Sequence, residues 1–184
     1  MKACPPPVRT SGSIPRHALL LALVALFLAG CGYRLRDDPG MRFSDPGIVV
    51  DLRPFANASL VPDAGAFLAG RLREELAREG FRGRFARGGA DFIVEGTVRS
   101  VQEELVSRGA DQYGLGYRLT LTVDVRVLEV ARGRLVWKEE GMSESAPFFA
   151  GADFQYTESN RRMAFEETCR QMARRIGQTL RLLL

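Results

Sequence analysis

Tyr117-Arg118-Leu119-Thr120-Leu121-Thr122-Val123-Asp124-Val125-Arg126-Val127-Leu128-Glu129-Val130 is the stretch that decides the fold. Leu119, Leu121, Val123, Val125 and Val127 fall on one side of an extended chain, because side chains alternate with a period of two. Arg118, Thr120, Thr122, Asp124 and Arg126 fall on the other. Strict alternation of this kind predicts an antiparallel sheet with one face packed and one face polar.

The neighbours extend the pattern. Ala131-Arg132-Gly133-Arg134 reads as a hairpin turn, and residues 135–140 return as the next strand with Leu135 and Trp137 inward. Upstream, residues 90–105 alternate as well: Phe92, Val94, Gly96 and Val98 share a face, and Ile93, Glu95, Thr97 and Arg99 share the other. A β-branched run, Ile48-Val49-Val50-Asp51-Leu52-Arg53, ended by Pro54, predicts a first strand. Residues 57–62 read as a loop, 82–89 as an edge strand or loop, and 107–116, with three glycines, as a flexible connection.

Two stretches carry helical periodicity. Leu68, Leu72 and Leu76 recur every fourth residue between Asp63, a candidate N-cap, and Gly80, a helix stop. Phe165, Cys169, Met172, Ile176, Leu180 and Leu183 form a second apolar stripe. Residues 143–156, which include Pro147 and Gly151, read as irregular. The resulting expectation is an α+β two-layer sandwich of order β-α-β-β-β-α. It has a mainly antiparallel four-stranded sheet with two helices packed on one face.

The chain begins with a different kind of signal. Residues 1–17 carry Lys2, Arg9, Arg16 and His17 and no acid; residues 18–28 are apolar; Leu28-Ala29-Gly30-Cys31 follows. A basic start, a short apolar run and small residues at a cut site describe a secretory signal. The apolar run is too short for a bilayer span, which needs about 20 residues. The quartet resembles the bacterial lipobox, which makes Cys31 the lipidated first residue of the mature chain, palmitate among its acyl groups. Gly32, where an Asp would favour inner-membrane retention, points to the outer membrane with the protein facing the periplasm. The expected organisation is a signal peptide at 1–30, a lipidated tether at 31–47 with two Asp-Pro-Gly turns, and a single α+β domain at 48–184.

Composition then excludes several functions. The chain of 184 residues has 26 Lys+Arg and 22 Asp+Glu, but three of the basic residues precede Cys31. The mature chain has a net charge of about +1, which removes the electrostatic case for nucleic-acid binding. The single His lies in the signal, so no His-based catalysis or metal ligation is expected after cleavage. Cys169 remains without a disulfide partner; it reads as a small core residue or, alternatively, a reactive thiol. The Glu-Glu pairs at 74–75, 103–104, 139–140 and 166–167 point in divergent directions and read as solvated surface. No catalytic residue, metal site or cofactor is expected, and the chain is not read as an enzyme.

Several stretches resemble the LptE family, the lipopolysaccharide-assembly lipoproteins of the Gram-negative outer membrane. They are Cys31-Gly32-Tyr33-Arg34-Leu35-Arg36, Pro54-Phe55-Ala56-Asn57, Leu72-Arg73-Glu74-Glu75-Leu76, residues 90–98 (Ala-Asp-Phe-Ile-Val-Glu-Gly-Thr-Val), residues 117–125 and Leu135-Val136-Trp137. The resemblance implies a plug inside the lumen of an LptD-like β-barrel, assisting barrel assembly and lipopolysaccharide transport. Partners would be the barrel, lipopolysaccharide and, through the anchor, the membrane, with no nucleic acid.

Lipopolysaccharide carries phosphates and acyl chains, so fixed cations on the polar sheet face are candidate contacts: Arg99, Arg118, Arg126 and Lys138. The competing reading is of solvated strand cations paired with Asp124 and Glu95. Two other functions remain open at this level: a lipoprotein scaffold or activator of another envelope complex, in cell-wall synthesis or secretion, and a periplasmic lipid carrier.

Overall fold

The computed structural model describes residues 45–108 and 115–184. The signal peptide, Cys31, most of the tether and the centre of the 107–116 connection lie outside the described residues.

The elements run β1 (Val49–Leu52), β2 (Ala56–Asn57), α1 (Ala64–Arg78), β3 (Arg84–Phe85), β4 (Phe92–Arg108), β5 (Leu115–Glu129), β6 (Arg134–Ala150) and α2 (Phe154–Leu183). The α+β class with two helices stands. The four-stranded, mainly antiparallel sheet is corrected to a mixed sheet of six strands, ordered β3-β1-β4-β5-β6 with β2 also on β4. β4, β5 and β6 are antiparallel, but β1 runs parallel to both β3 and β4. All four residues of β1 are buried, as expected of a parallel strand covered on both faces. β2 continues β1 along β4 after Pro54 breaks the ladder. Leu52 pairs with Val94 and Ala56 with Thr97, so the first strand gains one residue across the break. A proline cannot donate to the ladder, which is why the interruption falls there.

β6 is a second correction. Residues 143–150, read as irregular, are strand, and α2 begins at Phe154 with the Asp153 carboxylate accepting from the N–H groups of Gln155 and Tyr156. Pro147 is tolerated because β6 lies at the sheet edge. At the start of β6 the expected inward Leu135 is 48% exposed. A register irregularity opposite Val127 and Leu128 places Val136 against the core in its stead, beside Trp137, which packs there as expected.

Both helical stripes are buried as predicted. Leu68, Leu72 and Leu76 from α1, and Cys169, Met172, Ile176 and Leu180 from α2, share one core with Val94, Val98, Leu121, Val123, Val125 and Val127 of the sheet. At the C-terminus Leu184 is buried in place of Leu183, which is half-buried. Phe67 of α1 meets Phe165 of α2 at 5.4 Å between ring centroids. Glu75, Glu79 and Arg181 add ion pairs between the helices: Arg174 with Glu75 at 3.6 Å and Arg181 with Glu79 at 3.0 Å.

The helix ends depart from expectation in one case and match it in the other. Asp63 stands at the N-cap of α1, yet it has φ 56° and makes no side-chain cap bond. Gly80 has φ +89°; its N–H donates to the Ala77 carbonyl and the Phe81 N–H donates to the Leu76 carbonyl. That pair of bonds is the Schellman closure, which requires a left-handed residue after the helix. Nothing lies within 4 Å of a Cβ built on Gly80, so the cost of adding one is conformational alone. Gly80→Ala is expected to lower unfolding free energy by about 1–2 kcal/mol, with the urea m-value unchanged; a variant as stable as the parent would contradict the capping role.

Candidate functional site

The helices cover one face of the sheet, and the other face carries the polar residues of the three long strands. The register arranges them in rows. Glu95, Arg126 and Lys138 form one row, and Ser100, Thr122 and Ser143 another. Gln102, Thr120 and Ser145 form a third, and Glu104, Arg118 and Pro147 a fourth. The face is therefore densely charged at one end, lined by hydroxyls and an amide through its middle, and carries Glu104 and Arg118 at its far end.

The charged end is a set of matched pairs. Arg126 donates to Glu95 at 2.8 Å, and Arg53 reaches the same carboxylate at 3.0 Å and Asp51 at 3.1 Å. Arg99 donates to Asp124, and Lys138 lies 2.6 Å from Glu140. Together Arg53, Glu95, Thr97, Arg126, Lys138 and Glu140 border a shallow depression of about 440 Å³. Three cations (Arg53, Arg126, Lys138) face three carboxylates (Glu95, Asp124, Glu140) there, so the depression carries no surplus positive charge. Exposed pairs of this kind contribute only about 0–1 kcal/mol each. Their effect is to fix side-chain positions and to neutralise the face.

Three of the four expected cations thus come together, and both pairings named in the competing reading, with Asp124 and Glu95, are present. Arg118 stands apart: it is eight residues from Arg126 along β5, about 27 Å at the usual strand rise. It is exposed and, among the described residues, makes no ion pair; Glu104 is opposite it in register but beyond bonding distance. Arg53 was not anticipated. It follows β1 directly, and only the parallel pairing of β1 with β4 brings it beside Glu95.

Asp124 is held by a backbone donor as well as by a cation. β6 inserts an extra residue opposite it, and Gly141, at φ +67°, turns its N–H to the Asp124 carboxylate at 2.8 Å. Loss of solvent works against ionisation. The Gly141 N–H, the Arg99 guanidinium and the charge of Lys138 together outweigh it and hold the pKa below the usual Asp range. A depressed folded pKa stabilises the fold above the unfolded value, about 3.9, and that contribution disappears as pH falls through the folded value. Asp124→Asn is therefore expected to melt below the parent at pH 7 and to converge with it as pH falls well below the unfolded value. Melting curves across that range test this; a constant gap at all pH values would contradict it.

Among the described residues no group of three or more His, Cys, Asp or Glu is placed to hold a metal ion. Cys169 is fully buried, and burial pushes its thiol up to about 12, with Arg71 opposing and Glu166 adding to the shift. This is the environment of a core residue rather than of a reactive thiol. No described helix is long and apolar enough to cross a membrane.

Comparison with known proteins adds the following. The model of the LptE family, described as lipopolysaccharide-assembly, matches residues 49–180. No curated protein is close enough in sequence to count as a match. Among solved structures, the rare lipoprotein B from Shewanella oneidensis has a TM-score of 0.51 at 16% identity, over 68% of this chain and 92% of that one. A minor lipoprotein from Acinetobacter baumannii reaches a TM-score of 0.42 at 12% identity, covering 74% and 92%. The PelC dodecamer from Paraburkholderia phytofirmans reaches 0.39 at 18%, covering 71% and 89%. The first of these shows a common fold; the other two are too distant to carry an argument.

Proposed function

Since the chain belongs to the LptE family of lipopolysaccharide-assembly proteins, we propose that it works as an outer-membrane lipoprotein plug in the lumen of an LptD-like β-barrel. There it would support barrel assembly and lipopolysaccharide transport. Residues 1–30 are the signal, Cys31 carries the lipid, residues 31–47 are the tether and the α+β domain follows from 48.

The observation that supports the plug most is the open sheet face. The lumen of a large barrel is polar and hydrated. A face whose charged cluster is paired and whose middle is lined by hydroxyls can sit there with little cost of desolvating an unpaired ion, Arg118 at its far end being exposed. The mechanism is that of an assembly factor, not of an enzyme. The helices and sheet core make a rigid body, and the polar face supplies exchangeable hydrogen bonds to the wall.

The same geometry ranks the candidate lipopolysaccharide contacts. A phosphate at Arg99, Arg126 or Lys138 must displace a carboxylate already in place. At Arg118 it gains a guanidinium without displacing one. Arg118 is thus the cation we assign to lipopolysaccharide, with the other three holding the face in shape.

The test is affinity purification of the full-length lipoprotein from detergent-solubilised outer membranes, with mass spectrometry of the material retained. A large β-barrel in stoichiometric amount is expected. A cell-wall synthase or secretion component, with no barrel, would overturn the plug and favour the scaffold reading.

A further inference from the structure

β6 is the edge of the sheet for all of its 17 residues; among the described residues it pairs with β5 alone. Its two halves differ. Residues 134–141 hold two register irregularities and carry Arg134, Lys138, Glu139 and Glu140. Bulges and charges are the means by which proteins blunt an exposed edge. From 142 to 150 the register with β5 is unbroken. The one charged side chain there, Glu144, is half-buried and bonded to Arg175 at 3.3 Å.

Pro147 shows which way this half of the strand faces. A proline fits in a strand where its missing N–H would have pointed to the free side. By the period of two, the N–H groups of Ser143, Ser145 and Phe149 also point away from β5. The edge thus offers a row of backbone donors and acceptors with two interruptions: the missing N–H of Pro147, and the Phe149 carbonyl, which already accepts from the Asn160 side-chain amide at 2.8 Å. Beside it, a groove of about 490 Å³ separates the strand from α2 and includes Pro147, Phe148, Phe149, Tyr156 and Met163. Phe149, Tyr156 and Met163 are 64%, 56% and 57% exposed. Ser143 and Ser145, which share the open sheet face with Pro147 and Phe149, are small and exposed.

We infer that residues 142–150 of β6 take up an extended segment of the partner protein as an added strand. Main-chain hydrogen bonds supply the attraction, and the groove supplies specificity. The segment alternates: apolar side chains enter the groove beside α2, and small or polar ones lie beside Ser143 and Ser145. This rests on the barrel reading above. A closed barrel wall has no free strand edge, so the segment belongs to a loop or terminus of the barrel protein.

The experiment is amide hydrogen exchange on the full-length lipidated chain, alone and co-purified with its barrel partner in detergent. The Ser143, Ser145 and Phe149 amides are expected to exchange at least about tenfold more slowly in the complex. Ser145→Pro, which removes a donor from the free side only, lowers the yield of complex, and Ser145→Ala does not. A complex that forms with these amides unchanged overturns the inference and leaves the plug standing. Protection already present in the chain alone also overturns it. If independent of concentration, it assigns the edge to the chain's own preceding residues; if it rises with concentration, to a second copy. Failure to recover any barrel overturns the plug reading itself.

Discussion

Leu72→Ala is expected to cost the domain about 3–4 kcal/mol and to lower its melting temperature by about 10 °C. Leu72 has no exposed surface, and its neighbours in the core come from α1, α2 and the sheet. Truncation loses the transfer energy of the removed methyl groups and leaves a cavity. The surrounding elements cannot close it, because long antiparallel strands hold one wall and a 30-residue helix holds the other. Leu182→Ala serves as the control: the same chemistry at a position 72% exposed is expected to change stability by less than about 0.5 kcal/mol. Urea unfolding of both variants decides the matter. Equal losses would mean that the two helices do not share the core described above.

The contrast between Leu72 and Leu182 is also what made the helices legible. A stripe at every third or fourth residue marks the buried side of a helix regardless of what it packs on, so Leu68, Leu72, Leu76, Met172, Ile176 and Leu180 are legible as core residues from the sequence alone. The strand at 117–130 was legible for the same reason, with a different period. Pairing direction is not written in either period. A buried parallel strand and a short buried antiparallel one can read alike, and the run at 48–53 was read as a strand without a direction. Its lack of alternation was the available signal for a parallel strand covered on both faces.

The missed part of β6 has a related cause. Pro147 argues against a central strand, but an edge strand tolerates it, and edge position is a property of the whole sheet. The same dependence explains the candidate site. Arg99, Arg126 and Lys138 lie on strands whose alternation was visible, so their shared face could be read. Arg53 entered only through β1 pairing with β4, and Arg118 left because eight residues of strand separate it from the rest. Whether a cation is free or paired depends on its cross-strand partners, and those follow from register.

Cys31→Ser is expected to abolish lipid attachment and outer-membrane residence altogether. Two or more acyl chains hold a protein on a bilayer durably, whereas one gives marginal, reversible binding. The mature chain's net charge is about +1, so it gains little from an anionic surface, and no described helix can span the bilayer. Labelling cells with radioactive palmitate and separating inner from outer membranes checks both consequences. The parent chain should carry label and follow the outer membrane. Cys31→Ser should carry none, keep its signal segment and be absent from that fraction. Cys169→Ser should label like the parent, because the buried thiol is inaccessible in the fold. Label persisting in Cys31→Ser would sink the lipobox reading, and the outer-membrane placement drawn from Gly32 would fall with it. If residence is lost as expected, sensitivity of the cells to large hydrophobic antibiotics should rise with it, because a plug kept away from the outer membrane loses the high local concentration its anchor provides there.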